Sequence, residues 1–238
     1  MKIKYYYSAT VGIITKDISI LCDPWFTQGI YYGSWFHYPF DPLEIDRIEK
    51  YDYIFISHLH EDHCDIRFIK KYLKAYNDTK IIISERPNNY LSKILDKNNI
   101  DYLKITSKTF GETFVDLIID NSRGSSSIDS ILVVRYKSNF YINANDCEVG
   151  EQISNKISKL KEKNIDYKIM LSIGYAGAND WPHMYLNYNK SNLIKASSRK
   201  QKLNINKFIK GVDYIKPHIV HPFAGQYILG GKLYKYNS

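Results

Sequence analysis

The sequence is poor in cysteine. Its 238 residues contain three, Cys22, Cys64 and Cys147, widely scattered and with no Cys-x-x-Cys pair. That excludes a disulfide framework and makes a reducing cytoplasm the expected compartment. Long hydrophobic runs are also missing: no stretch approaches the roughly 20 apolar residues needed to cross a bilayer, so no membrane span is expected. The opening MKIKYYYSATVGIITKD has no apolar core of signal-peptide type, so export by that route is not expected either. Acidic residues are outnumbered, 25 against 33 Lys and Arg, for a net charge of +8. Hydrophobic residues at 44% and charged residues at 24% are ordinary for a globular chain, which excludes disorder, collagen and coiled coil as global descriptions. With no repeat and no linker-like stretch, residues 1–238 read as a single domain with a substantial core.

What is present is a run of short apolar segments with helical patterns set between them. Lys2–Tyr7, Val11–Thr15, Ile18–Cys22, Tyr53–Ser57 and Ile81–Ser84 read as strands. So do Tyr102–Thr106, Thr113–Ile119, Ile128–Tyr136, Phe140–Ala144, Tyr167–Ile173 and His218–His221. Ile66, Ile69, Tyr72, Leu73 and Tyr76 fall at helical spacing, as do Val149, Ile153, Ile157 and Leu160; Tyr90–Lys97 and residues 191–215 also read as helices. Helices recur in both halves, which fits a layered α/β (α+β) sandwich with sheets inside. Asp23–Pro42 is of another texture, with three prolines and many aromatics, and a loop that long in a compact domain is usually functional.

The chemistry concentrates in His58-Leu59-His60-Glu61-Asp62-His63, directly after the buried strand YIFIS. His58 and His60 are two apart, so extended backbone projects them to the same side, and Asp62 and His63 reach a second point nearby. Imidazole and carboxylate are ligands for zinc, iron or manganese. Four such groups in six residues are costly to hold together unless a cation compensates them. The plain alternative, a solvated loop with coincidental histidines, has to place three of the chain's seven histidines in one hexapeptide.

The pattern His-x-His-x-Asp-His after an apolar strand resembles the metallo-β-lactamase superfamily, whose fold is an αββα sandwich with a metal site at one edge of two sheets. Leu21-Cys22-Asp23-Pro24-Trp25 looks like that family's early strand ending in Asp, and Asn145-Asp146-Cys147 like the strand end that supplies a bridging Asp. Tyr175-Ala176-Gly177-Ala178 with Trp181-Pro182, and Pro222-Phe223-Ala224-Gly225, resemble the branch containing the metallo-β-lactamase-like portion of cytidine monophosphate N-acetylneuraminate hydroxylase. The resemblance implies one or two divalent metals, zinc first, with iron or manganese as alternatives. His58 and His60 would bind one metal, Asp62 and His63 the other, with Asp146 between them and His221 completing the set. Asp23 would orient a ligand imidazole. One departure stands out: residues 64–145 contain no histidine, where the common pattern has one. Asn121, or another group in residues 121–125, is a candidate for that place.

The expected function is metal-dependent hydrolysis of an anionic small molecule, such as a nucleotide sugar or phosphorylated metabolite, by metal-bound hydroxide, with Asp62 or Asp146 taking the proton. The alternative implied by the nearer branch is iron-dependent oxidation. The hydroxylase of that branch adds a Rieske cluster, for which this chain has neither spare length nor a Cys-x-His pair, so an external electron donor would be needed. A binding protein with a degenerate site is a further alternative, and nucleic acid ranks below a small molecule as partner. The anionic substrate is suggested by residues 181–212, which hold no Asp or Glu but carry Lys190, Lys195, Arg199, Lys200, Lys202, Lys207 and Lys210. Trp25, His37, Tyr175, Asp180 and His183 are the remaining candidates for substrate contact.

Overall fold

The computed structural model describes all residues except 40–44, 87–88, 121–127, 178–180, 183–184, 186 and 238. Asn121, Asp180 and His183 therefore lie outside the described residues. The chain opens with an antiparallel meander, β1 (Lys2–Tyr7), β2 (Thr10–Ile14) and β3 (Ser19–Cys22). A short turn α1 (Ile30–Gly33) and a two-residue strand β4 (Trp35–Phe36) follow. Then β5 (Tyr53–Phe55), α2 (Ile66–Ala75), β6 (Lys80–Ser84), α3 (Tyr90–Lys97) and β7 (Tyr102–Ile105) extend the first sheet in parallel, in the order β1-β2-β3-β5-β6-β7.

The second sheet begins with antiparallel β8 (Ser107–Phe110), β9 (Thr113–Ile119), β10 (Ser130–Tyr136) and β11 (Asn139–Asn143). It continues through α4 (Glu151–Lys159), β12 (Lys168–Gly174), α5 (Lys190–Ile215) and β13 (Ile219–Phe223), with β11, β12 and β13 parallel. Its order is β13-β12-β11-β10-β9-β8, and a final β14 (Ile228–Leu229) pairs with β4. No described helix is long and apolar enough to cross a membrane.

Period-two alternation sorts the strand side chains into layers. In β10, Leu132 and Val134 point into a core shared with Val11, Ile13, Ile20 and Phe55 of the first sheet. Ile131 and Val133 point the other way, toward Ile153 and Ile157 of α4 and Ile215 of α5. In β6, Ile81 and Ile83 likewise face Phe68, Ile69 and Tyr72 of α2 and Leu91 and Leu95 of α3. Helices on the outside, two sheets inside: the layers are the αββα sandwich expected. Both sheets bury two faces, which is why their central strands read as continuous apolar runs rather than alternating ones. Gly12 shows how tightly the layers close, since a Cβ there would lie 2.0 Å from the Tyr51 hydroxyl.

Side chains cap the starts of α2, α3 and α5. Asp65 accepts the Phe68 amide at 3.0 Å as N-cap of α2, and its other oxygen accepts the amides of Phe26 and Thr27 at 3.2 and 2.7 Å. One carboxylate thus both starts the helix after the His motif and anchors the aromatic segment to it.

Candidate metal centre

β3 and β5 are parallel neighbours, so their C-terminal ends meet at one edge of the sandwich. Asp23 leaves β3 in a left-handed conformation, φ 44°, while its amide stays bonded to the Phe55 carbonyl at 2.9 Å. The turn sets its fully buried carboxylate beneath the start of the His motif. The Ser57 amide donates to Oδ1 at 2.7 Å, the Ser57 hydroxyl donates to Oδ2 at 2.8 Å, and His63 Nδ1 lies 3.0 Å from Oδ2. A buried carboxylate is tolerated only when it is satisfied in this way.

His58 is held in parallel fashion. Its Nδ1 lies 3.1 Å from Asp129 Oδ1 and 3.0 Å from the Ser57 hydroxyl. His58 and His63 are each 1% exposed, so neither ring has room to turn. Each Nδ1 thus lies within about 3 Å of a buried carboxylate oxygen, and each Nε2 lies on the side of Asp146.

Asp146 arrives at that centre from the second sheet. After β11 the chain turns through Asn145, φ 39°, whose side chain donates to the Ser130 carbonyl and accepts the Asp146 amide at 2.6 Å. Asp146 Oδ1 lies 3.6 Å from His63 Nε2, and Oδ2 lies 4.0 Å from His58 Nε2. Ligand atoms of His58, His63 and Asp146 all fall within 4.8 Å of one another. His60 Nδ1 is 2.8 Å from His58 Nε2, and Asp62 Oδ2 is 3.5 Å from His63 Nε2. Five of the six candidate ligands named from the sequence are therefore gathered at one edge.

The sixth, His221, makes its described contacts with other residues. It pairs with Ser172 across β12 and β13, its Nδ1 lies 3.0 Å from the Ser172 hydroxyl, and its ring packs edge-on to Tyr5 at 4.8 Å. It faces the same side of its sheet as Ser172, and it is not part of the His58, His63 and Asp146 group.

The donor set suits a divalent cation of the zinc or iron kind, with imidazole nitrogens and carboxylate oxygens converging. The electrostatics point the same way. Burial disfavours charge on His63, yet Asp62, Asp146 and Asp23 outweigh it and push the imidazole up to about 10. Desolvation raises the Asp146 carboxyl above its ordinary value, and His63 pulls against it. Three carboxylates around one imidazole form a site that is short of positive charge.

Around this centre the aromatic segment folds onto itself. Trp25 is fully buried, and His37 is 5% exposed, wedged between Tyr7 at 4.0 Å and Trp25 at 4.3 Å. Both pack beneath the rim and present no open face to a ligand. Tyr31, Trp35 and Tyr227 are nearer the His58–His63 turn: Trp35 stacks on Tyr227 at 3.8 Å with planes 3° apart, and Tyr31 meets Trp35 edge-on at 4.9 Å. Tyr175, 37% exposed, lies against Gly225, where a Cβ would come within 2.6 Å of the ring. A cavity of about 640 Å³ opens beside His60 and Glu61, walled by Tyr31, Tyr32 and Arg67. On the acid-free segment, Lys207 pairs with Glu148 at 2.8 Å, and Lys200 donates to the Trp181 carbonyl at 2.9 Å.

Asp129, Ser57, Tyr31 and Tyr227 had no signal in the sequence that singled them out. Asp129 precedes a strand, and only strand pairing brings it under His58.

Comparison with known proteins gives the family and the fold. Cytidine monophosphate-N-acetylneuraminic acid hydroxylase of Mus musculus is 24% identical over 243 residues, covering 96% of this chain and 39% of its own length. The chain thus spans about two-fifths of that relative. Among solved structures, CmlA, a diiron β-hydroxylase from Streptomyces venezuelae, superposes with a TM-score of 0.61 at 15% identity, over 94% of this chain and 44% of that one. An isothiocyanate hydrolase from Delia radicum gut bacteria gives 0.55 at 13% identity, over 76% and 74%. Residues 2–168 match the model of the beta-lactamase superfamily domain, and the chain belongs to that superfamily.

Proposed function

We propose that this chain is a metal-dependent hydrolase of an anionic small molecule, a nucleotide sugar or another phosphorylated metabolite. The observation that carries the reading is the convergence of His58, His63 and Asp146 within 4.8 Å, with a buried carboxylate behind each imidazole. A divalent metal held there would lower the pKa of a coordinated water and polarise a substrate oxygen. The chain's own residues supply the rest. His58, His60, Asp62, His63 and Asp146 would hold the metal or metals. Asp23 and Asp129 fix the imidazoles, so little reorganisation is needed when the metal binds. Asp146, whose side chain is 39% exposed, is placed to accept a proton at its carboxylate from the open side. The stacked Trp35 and Tyr227 back the Tyr31 ring, whose hydroxyl bonds to Asp62. The acid-free basic segment on α5 supports an anionic substrate, as an expectation from charge alone.

A second reading, iron-dependent oxidation with an external electron donor, is supported by the named hydroxylase relative that covers 96% of this chain. One experiment separates the two. Zinc-loaded and iron-loaded protein is incubated in air, with and without a reductant, with a panel of nucleotide sugars and phosphate esters, and products are identified by mass. Cleavage with uptake of water in the zinc form supports hydrolysis. Gain of one oxygen that requires iron and reductant supports oxidation and overturns the hydrolase. Binding with no turnover in either form overturns both.

A further inference from the structure

Tyr31 bonds to two consecutive residues of the metal-binding turn. Its amide donates to Glu61 Oε2 at 2.7 Å, and its hydroxyl donates to Asp62 Oδ1 at 2.5 Å. It does so from left-handed backbone, φ 50° and ψ 55°, followed by a second such residue, Tyr32, at φ 57°. That conformation is unfavourable for any residue with a Cβ, and two in succession are sustained only when surrounding contacts fix them. The contacts here include those two hydrogen bonds, the Ser34 amide on the Tyr31 carbonyl at 3.2 Å, and the ring's edge-on packing against Trp35, itself stacked on Tyr227. Asp62 turns its other oxygen, Oδ2, toward His63 Nε2.

We propose that Tyr31 is a positioning residue of the metal centre: its hydroxyl takes one oxygen of Asp62 and leaves the other directed at the metal. The aromatic segment then serves the site from outside the ligand set, by fixing the rotamer of one ligand. Glu61, which lies between the ligands and is not one of them, holds the Tyr31 backbone in place. This inference rests on the metal-site reading above.

The test is a cobalt(II) titration of metal-free protein, followed by visible absorption, on wild type, Tyr31→Phe and Tyr32→Phe. The Tyr32 side chain is fully exposed and serves as control. Tyr31→Phe is expected to keep the far-UV circular dichroism of wild type, to bind cobalt about 10–100-fold more weakly, and to show an altered ligand-field spectrum, whereas Tyr32→Phe matches wild type. In an Asp62→Asn background, Tyr31→Phe is expected to have little further effect, because the hydroxyl acts through that carboxylate. Wild-type affinity and spectrum in Tyr31→Phe, or full additivity with Asp62→Asn, would overturn the clamp while leaving the metal centre standing. Failure of wild type itself to bind cobalt would overturn the metal centre, and the clamp with it.

Discussion

Asp129 Oδ1 lies 3.1 Å from His58 Nδ1, in a pocket where the two side chains are 4% and 0% exposed. Asp23 stands to His63 in the same relation, at 3.0 Å. The two carboxylates come from different sheets, and each directs the Nε2 of its histidine to one centre. Asp129→Ala is expected to weaken zinc binding about 10–100-fold, and Asp129→Asn, which still accepts a hydrogen bond, by less. Competition titration against a chromogenic chelator checks this; equal affinity in all three proteins would mean that His58 needs no such support.

The metal-free protein should lose stability as pH rises. Despite burial, Asp62, Asp146 and Asp23 raise the folded pKa of His63 from 6.5 to about 10, so the fold binds that proton more tightly than the unfolded chain does. The contribution is complete below the unfolded value of 6.5 and disappears as pH climbs through about 10. Thermal melts of metal-free protein across that window should slope downward, and those of a His63→Gln variant should slope less. Zinc replaces the proton, so saturating metal should flatten the wild-type curve. Identical slopes in wild type and variant would contradict the charge arrangement described.

Acid should act through a different histidine. Burial lowers His37 from 6.5 to about 4, and among the described residues its Nε2 has no hydrogen-bond partner. Below pH 6.5 the unfolded chain takes up a proton that the fold refuses, so stability declines until about pH 4, where both forms are protonated. His37→Phe keeps a flat ring between Tyr7 and Trp25 and removes the titration. Its melting temperature should fall less than that of wild type on acidification from neutral pH.

Leu132 is fully buried between the two sheets. Leu132→Ala leaves a cavity that the paired sheets cannot easily close, and about 2–5 kcal/mol of unfolding free energy should be lost in urea titration. A much smaller loss would indicate that the sheets are not packed face to face at this point.

The layers were legible in the sequence because short apolar runs and helical spacing are local signals. Tyr90–Lys97 and Thr113–Ile119 coincide with their elements. The strand β8 was not expected, since SKTF is polar and mostly exposed, and it is a strand only because β9 folds back on it across Gly111. The hexapeptide after β5 announced itself by composition. His221 did not: which groups it meets depends on its register with Ser172, which residue type does not encode. The same holds for Asp129 and Tyr31, which meet the site through contacts 71 and 31 residues along the chain.

The central claim is that the edge formed by His58, His60, Asp62, His63 and Asp146 holds metal. The direct measurement is metal content by inductively coupled plasma mass spectrometry of protein purified without added metal, alongside His58→Ala and His60→Ala. Wild type is expected to carry about one to two equivalents of zinc or iron per chain, with a clear loss in both folded variants. Folded wild-type protein that carries no metal above background, and takes up neither zinc nor iron when they are supplied, would contradict it.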